Sequence, residues 1–284
     1  MNQRTLYGTV LLLSFCEILN AAEEVTFKYQ PVKPGDTQTK SQDFQSTMKL
    51  TVKANGAVVN TVEQNSGKFE KRKITALETS GESMTKLKMT YLSATMTAPG
   101  EAEAKATPYS GKTYIAEMKN GNVSVTNEAG KPVADEEEVS FVAKDAKSIM
   151  KPERFSKLLE GKTLKAGDKV DISEEMAREI LGAEEQPTKV DKMSMVLKEI
   201  RKVPAGTQGV FSLEMIMASD LNPVMKMTAN VKGDTIIAVD TCWPILMAIT
   251  GPVTIKGSQQ KGDAKIDFDG TGEIKVNVNA EYGK

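Results

Sequence analysis

The sequence contains no histidine. Histidine supplies the general base of Ser/His/Asp and Cys/His triads, a common zinc ligand, and the side chain that titrates near neutral pH. Its absence excludes those triads, His-ligated zinc and a histidine pH switch.

Cysteine is almost absent as well, since the chain has only Cys16 and Cys242. If the first 22 residues are removed on export, Cys242 is the only thiol of the mature protein. The mature chain then has no internal disulfide and must depend on a conventional apolar core.

The charges are balanced, and long apolar runs are scarce. The 284 residues include 37 basic and 38 acidic side chains, for a net charge of −1. Proteins that follow a phosphate backbone are usually strongly basic, so no nucleic-acid partner is expected. The one clear apolar run, Leu6–Phe15, is shorter than the roughly 20 residues that span a bilayer. We therefore expect no transmembrane span in the mature chain.

Residues 1–22 have the pattern of an export signal. Arg4 precedes the apolar run, and the small residues Ala21 and Ala22 follow it. Such an arrangement is typical of a cleaved signal peptide. We expect an exported protein of the periplasm or cell envelope.

A lipoprotein signal is the alternative interpretation of this leader. In the run Leu13–Cys16, the thiol of Cys16 would be lipidated and would anchor the protein. Phe15 is bulky where that signal needs a small residue, which favours simple cleavage over a lipid anchor at Cys16.

Alternation of apolar and polar residues is the dominant pattern after residue 22. It is clear in Phe44–Val52 and clearest in Ala264–Tyr282, where Gly270 and Gly272 are natural places to bend. The Asn-Gly pairs at 55–56 and 120–121 predict tight hairpin turns. Further predicted strands are Ala57–Val62, Ile74–Leu77, Met84–Thr97, Lys112–Met118 and Asn122–Thr126.

Helical patterns are confined to the middle of the chain. Ser173 can cap a helix over Glu174–Leu181, and shorter helical turns are predicted at Lys144–Met150 and Glu153–Glu160. The acidic run Asp135–Glu138 is interpreted as a solvated loop.

These patterns predict a mainly β fold, that is, a β-rich α+β protein. We expect long, curved antiparallel sheets in two halves, like a half-barrel or roll, with a few short helices in the middle. The expected divisions are a signal peptide at 1–22, an N-terminal β half at 23–142, a helical connector at 143–188 and a C-terminal β-meander at 189–284. A related turn, Lys33–Asp36 and Lys165–Asp168, occurs in each part of the chain. It leaves open whether the halves are a duplication or one continuous sheet.

Motifs for catalysis or metal binding are incomplete. Gly111–Thr113 and Gly161–Thr163 lack the earlier glycine of a phosphate-binding loop. An aspartate-rich run before Gly270 has Lys265 and Val276 where an EF-hand needs oxygen ligands. The Ser-x-x-Lys pairs lack the accompanying motifs of penicillin-recognising enzymes. We predict no catalytic residue, no metal ligand and no cofactor.

Methionine is abundant, with 15 residues, whereas aromatic residues make up only 5%. Six methionines form Met-x-Met pairs, which on a strand place both thioethers on one face. The predicted ligand-binding residues are Met193, Met195, Met215, Met217, Met225 and Met227. Three interpretations remain: core filling, an adaptable apolar lining, or a Cu(I) site.

Several turn-like segments resemble a family of uncharacterised exported bacterial envelope proteins. They are Tyr29–Thr37, Leu164–Asp168, Gly251–Thr254 and the alternating end Ala264–Tyr282. The resemblance carries no known catalytic residues. Curved antiparallel half-barrels with a few helices are, by analogy of fold, similar to envelope carriers of lipid or lipoprotein.

The predicted function is therefore non-enzymatic binding of a lipid, an acyl chain or an apolar peptide segment on a concave sheet face. The alternative is a structural or protein-interaction module of the envelope with a protein partner. A Cu(I)-binding protein is the third hypothesis.

Overall fold

The structure is a computed structural model that describes residues 23–181 and 188–283. The predicted signal peptide at 1–22, with Cys16, lies outside the described residues. So do positions 182–187, which form the end of the predicted helical connector.

Fourteen strands and three helices make up the described part of the chain. The strands are β1 (Glu24–Thr26), β2 (Thr37–Ala54), β3 (Ala57–Ser80), β4 (Ser83–Thr97), β5 (Lys105–Ala106), β6 (Thr113–Lys119), β7 (Asn122–Asn127), β8 (Thr163–Lys165), β9 (Lys169–Asp171), β10 (Thr188–Val203), β11 (Gly206–Asn222), β12 (Met225–Ala238), β13 (Pro244–Lys261) and β14 (Ala264–Gly283). The helices are α1 (Glu136–Ile149), α2 (Arg154–Leu159) and α3 (Glu174–Leu181).

One antiparallel sheet of 12 strands dominates the fold. Its order is β7-β6-β4-β3-β2-β14-β13-β12-β11-β10-β9, with β5 added on β4, while β1 and β8 pair separately. β14 pairs with the whole of β2, from Thr37 opposite Gly283 to Ala54 opposite Ile266. The two parts of the chain therefore share one continuous open sheet. The predicted mainly β class, with long curved antiparallel strands in a half-barrel or roll and a few short helices, is confirmed.

The hairpins form where their turn chemistry predicts them. Asn55 and Gly56 have φ values of 48° and 84°, and Asn120 and Gly121 have values of 51° and 81°. Positive φ at both central residues is the signature of the type I′ turn, which matches the twist of the flanking strands.

Two predicted strands are segments of longer ones. Ala57–Val62 and Ile74–Leu77 both belong to β3, which continues through the polar stretch between them. Polar side chains interrupt the alternation there, yet β2 supplies backbone partners along nearly the whole length of β3. Backbone pairing therefore extends the strand where the side-chain pattern does not predict it.

The helix over Glu174–Leu181 is confirmed, and the backbone N–H of Met176 donates to the Ser173 hydroxyl at its N-terminus (3.2 Å). The loop interpretation of Asp135–Glu138 is wrong. Asp135 accepts a hydrogen bond from the Glu138 backbone N–H (3.0 Å) and caps α1, whose first turn is acidic. Carboxylates at this position interact favourably with the helix dipole.

All the helix packing against the large sheet involves one face, which we call the inner face. α1 packs on β4, β6 and β7, and α3 packs on β10. Two apolar cores result, one under α1 and the other under α2 and α3. The middle strands β2 and β14 lie between these two cores.

The repeated Lys-x-Gly-Asp turn has the same geometry at both of its positions. The backbone N–H of Lys33 donates to Asp36 Oδ2 at 2.8 Å, and that of Lys165 donates to Asp168 Oδ2 at 2.9 Å. Each turn also exchanges two backbone hydrogen bonds with a strand, through Ala76 on β3 in one case and Leu197 on β10 in the other. The two sequence motifs are thus structurally equivalent turns.

Among the described helices, none combines the length and apolarity that crossing a membrane requires.

Candidate ligand-binding site

A row of apolar side chains lies on the inner face of β2 and β14. The strand register places these side chains side by side, and all of them are partly exposed. We call this set the central strip: Phe44, Met48, Leu50 and Val52 of β2 with Ile266, Phe268, Ile274 and Val276 of β14. From Phe44 to Val52 it extends for about 26 Å at the usual rise per residue. The strip is thus a long, partly exposed apolar surface beside the core under α2 and α3, against which Met48, Ile274 and Val276 pack.

Glycines form part of the floor of this surface. Gly270 and Gly272 of β14 lie opposite Leu50 and Met48 of β2. A Cβ atom at Gly272 would lie 2.1 Å from the Thr47 carbonyl oxygen and 2.6 Å from the Met48 sulfur. The neighbouring strand and the Met48 side chain therefore occupy the space that a side chain at Gly272 would need.

All six methionines of the Met-x-Met pairs lie on the inner face of β10, β11 and β12. Met193 and Met215 are direct cross-strand partners. The three buried ones are Met193, Met195 and Met215, with exposures of 4%, 0% and 2%. Met217, Met225 and Met227 are only partly buried, and Met227 lies opposite Ile255. The structure therefore brings the six together on one face and divides them between the core and its open margin.

A small cavity lies at the end of β2 where the central strip begins. Its volume is about 230 Å³, and it lies between the segment that joins α1 to α2 and the inner face of β2, β3 and β14. The rings of Trp243 and Tyr282 line it with centroids 4.5 Å apart. The Tyr282 hydroxyl accepts a hydrogen bond from Gln38 Nε2 and donates one to the Pro244 carbonyl oxygen, both at 2.9 Å.

A buried charged cluster borders this cavity. Arg72 forms an ion pair with Glu70 at 2.7 Å and another with Asp145 of α1. The Tyr91 hydroxyl also donates to Asp145, at 2.7 Å, and Lys68 lies 3.0 Å from Glu70. Burial, followed by the charge of Asp145, raises the pKa of Tyr91, so this phenol stays protonated. The cluster connects α1 to the sheet.

Sequence patterns did not reveal this cluster. Lys40, Glu70 and Arg72 occupy inner-face positions, where alternation predicts apolar residues. Charged residues at inner-face positions of a strand are the pattern that could have indicated the cluster. Charged side chains are rarely buried without partners, so such positions predict buried ion pairs.

The other polar residues that the sequence suggested as site residues are held in ion pairs or buried in the core. Asp267 and Asp269 pair with Lys265 and Lys256 at 2.9 and 2.7 Å. Cys242 is fully buried, and burial raises the pKa of its thiol to about 11. Within 23–181 and 188–283, no group of three or more His, Cys, Asp and Glu side chains is arranged to hold a metal ion.

Comparisons with known proteins give no family. No protein-family model and no curated protein matches the chain. Solved structures with some likeness include a lipovitellin determined for its lipid–protein interactions, with 9% identity, coverage of 90% of this chain and 26% of that chain, and a TM-score of 0.38. This chain therefore spans about a quarter of the lipovitellin chain.

Two outer-membrane proteins also show some likeness. A channel from Pseudomonas putida F1 has 10% identity, with 89% of this chain and 98% of that chain covered and a TM-score of 0.19. OprG from Pseudomonas aeruginosa has 8% identity, with 90% and 99% covered and a TM-score of 0.13. Such scores do not define a shared fold, so the function must be derived from the side chains of this chain.

Proposed function

We propose that this chain is a non-enzymatic protein of the cell envelope that binds the apolar part of a lipid, such as an acyl chain, on the central strip. The observation that carries the proposal is the partial exposure of eight apolar side chains in two paired strands. Helices cover the flanks of the same face, whereas the side chains of the strip stay partly exposed and can contact a ligand.

Apolar surface that stays in contact with water is unfavourable. Burying apolar surface stabilises a protein or complex by about 25 cal/mol per Å². Contiguous apolar patches on soluble proteins commonly mark a binding site. The long, narrow shape of the central strip suits an extended hydrocarbon chain.

The methionines at the open margin of the core support the same function. Met217, Met225 and Met227 continue the apolar inner face from the strip towards β11. Their unbranched, polarizable side chains adapt to ligands of different shape. In this proposal they contact the ligand, whereas Met193, Met195 and Met215 support the wall from inside the core.

Titration with a neutral fluorescent probe, N-phenyl-1-naphthylamine, tests the proposal. Leu50→Lys places a charge on the central strip, and Thr47→Lys places the same charge on the exposed outer face of the same strand. A charge desolvated against an apolar ligand is costly. We expect Leu50→Lys to weaken binding at least tenfold and Thr47→Lys to change it less than twofold. Equal binding by wild type and Leu50→Lys would contradict the proposal.

A protein-interaction module is the second candidate function. It is favoured by Val58 and Val59 at the β2–β3 hairpin, which are 61% and 59% exposed. A photo-crosslinking amino acid at position 59 in intact cells would capture an envelope partner if this function operates. Absence of any crosslinked protein would remove the candidate.

A further inference from the structure

Two of the cationic side chains that line the cavity beside the central strip come from neighbouring strands of the sheet. Lys40 of β2 and Arg72 of β3 are opposite each other in the strand register, and both line the cavity. Both are held by long central strands, so they are fixed in position relative to the strip.

Arg72 is buried and only partly satisfied. It is 8% exposed and is paired with Glu70 and Asp145 through one terminal nitrogen. Its Nε donor has no hydrogen-bond partner in the described part of the chain. A buried donor without a partner is costly, and a ligand oxygen would satisfy it.

Lys40 has no close partner at all among the described residues. No hydrogen bond or ion pair joins its ammonium group to another described side chain, although Glu70, Asp145 and Glu153 contribute favourable charge from a distance. Burial and then the Arg72 charge lower the pKa of Lys40 from its ordinary value. A nearby anion would relieve both effects.

The positive and negative side chains of the cluster balance one another, and Lys40 is an additional positive charge. Lys68 and Arg72 are balanced by Glu70 and Asp145, whereas Lys40 adds a further positive charge. Two carboxylates, Asp36 and Glu153, also line the cavity. Asp36 accepts a hydrogen bond from the Lys33 backbone N–H at 2.8 Å, and Glu153 accepts one from the Arg154 backbone N–H at 3.1 Å. Lys151 and Arg154 line the cavity as well and have contacts of their own.

The cavity and the central strip follow each other along one strand. On the inner face of β2 the order is Lys40, Gln42, Phe44, Ser46 and then Met48 with the rest of the strip. Lys40 and Phe44 are about 13 Å apart at the usual rise per residue. A polar, cationic end thus leads directly into an apolar surface.

We infer that the cavity binds the anionic head group, a carboxylate or phosphate, of an amphiphile whose hydrocarbon chain lies on the central strip. The inference rests on the proposed function and adds the class of ligand to it. The oxygens of the head group accept hydrogen bonds from the Lys40 ammonium and Arg72 Nε, which are charge-assisted and hence strong.

Isothermal titration tests the inference with three ligands: dodecanoate and dodecyl phosphate below their critical micelle concentrations, and dodecanol below its solubility limit. Lys40→Met keeps a long unbranched side chain and removes the charge. Lys49→Met is the matched control, because Lys49 is exposed on the outer face of the same strand and pairs with Glu63. We expect Lys40→Met to weaken binding of both anionic ligands at least tenfold and binding of dodecanol less than twofold. Lys49→Met should change none of the three by more than twofold.

Thermal unfolding of Lys40→Met and wild type shows whether the variant is folded, so that weaker binding is not caused by misfolding. Within 23–181 and 188–283 Lys40 has no ion-pair partner that the substitution would leave unpaired, so Lys40→Met should be at least as stable as wild type. Weaker anion binding by a fully folded variant supports the head-group site.

The arms of the experiment separate the two proposals. If dodecanol binds but the anionic ligands bind no more tightly, or if Lys40→Met leaves them unchanged, the head-group site is refuted and the proposed function stands. If acetate or inorganic phosphate alone binds as tightly as dodecanoate, the cavity is a small-anion site and the amphiphile is refuted. If neither dodecanol nor N-phenyl-1-naphthylamine binds, the proposed function itself fails.

Discussion

Replacing Met195 and Met225 by alanine, one at a time, separates a core methionine from one at the ligand-binding margin. Both belong to Met-x-Met pairs and both lie on the inner face. Met195 is fully buried next to Leu213 and Val170 in the strand register, whereas Met225 is partly exposed opposite Gly257. We therefore expect the two substitutions to have opposite effects on stability and on ligand binding.

The magnitudes follow from the burial of each side chain. Replacing a fully buried methionine by alanine usually costs about 2–5 kcal/mol, because apolar contacts are lost and a cavity remains. That is a large part of a typical stability of about 5–15 kcal/mol. In a chain of this size it lowers Tm by roughly 2–4 °C per kcal/mol. Met225→Ala, at a partly exposed position, should cost about 1 kcal/mol or less.

Urea unfolding and titration with N-phenyl-1-naphthylamine measure the two properties. Met195→Ala should lose stability and, while folded, retain affinity within about twofold. Met225→Ala should retain stability and lose affinity about threefold or more. If Met225→Ala destabilises the protein as much as Met195→Ala does, the margin is part of the packed core and the reasoning is refuted.

Three further predictions concern the scaffold. Cys242 should react slowly with iodoacetamide at pH 8 in the folded protein and rapidly in denaturant, because burial raises the pKa of its thiol from 9.0 to about 11. Because the folded protein holds the thiol proton more tightly, the protonated thiol contributes stability that is fully present below pH 9 and is lost as the pH rises from 9 to 11. Gly272→Ala should lower Tm strongly in thermal unfolding, because its Cβ would lie 2.1 Å from the Thr47 carbonyl oxygen. Asp145→Asn should lower the free energy of unfolding by about 1–3 kcal/mol in urea, because it removes a charged partner from buried Arg72.

A different result would contradict each of these three predictions. Rapid labelling of folded Cys242 would show that its thiol is accessible. A Gly272→Ala variant as stable as wild type would show that β2 and β14 adjust freely at that point. Unchanged stability of Asp145→Asn would show that Glu70 alone satisfies Arg72.

Local patterns predict the elements whose structure depends on short-range chemistry. The Ser173 cap fixes the start of α3, the Asn-Gly pairs fix two hairpins, and the alternation of Ala264–Tyr282 matches β14 closely. The Met-x-Met spacing also places each pair on one face. In these cases a few neighbouring residues determine the backbone conformation.

Other features depend on partners far away in the chain. The acidic start of α1 resembles a loop by composition, but Glu138 is buried because Tyr114 donates to it at 2.6 Å and Lys112 pairs with it. Likewise, Arg72 is buried on the inner face because Glu70 on the same strand and Asp145 of α1 both pair with it. The residue pattern of a strand does not show which helix will pack on that strand. The buried charged cluster therefore could not be predicted from the sequence.

Native mass spectrometry of the protein purified from its own host tests the central claim most directly, combined with lipid extraction of the same sample. We expect a bound amphiphile with an anionic head group and at least one hydrocarbon chain. We also expect that Leu50→Lys, purified in parallel, carries much less of it than Thr47→Lys does. A folded protein that is purified from its host and contains no lipid would contradict the proposed function.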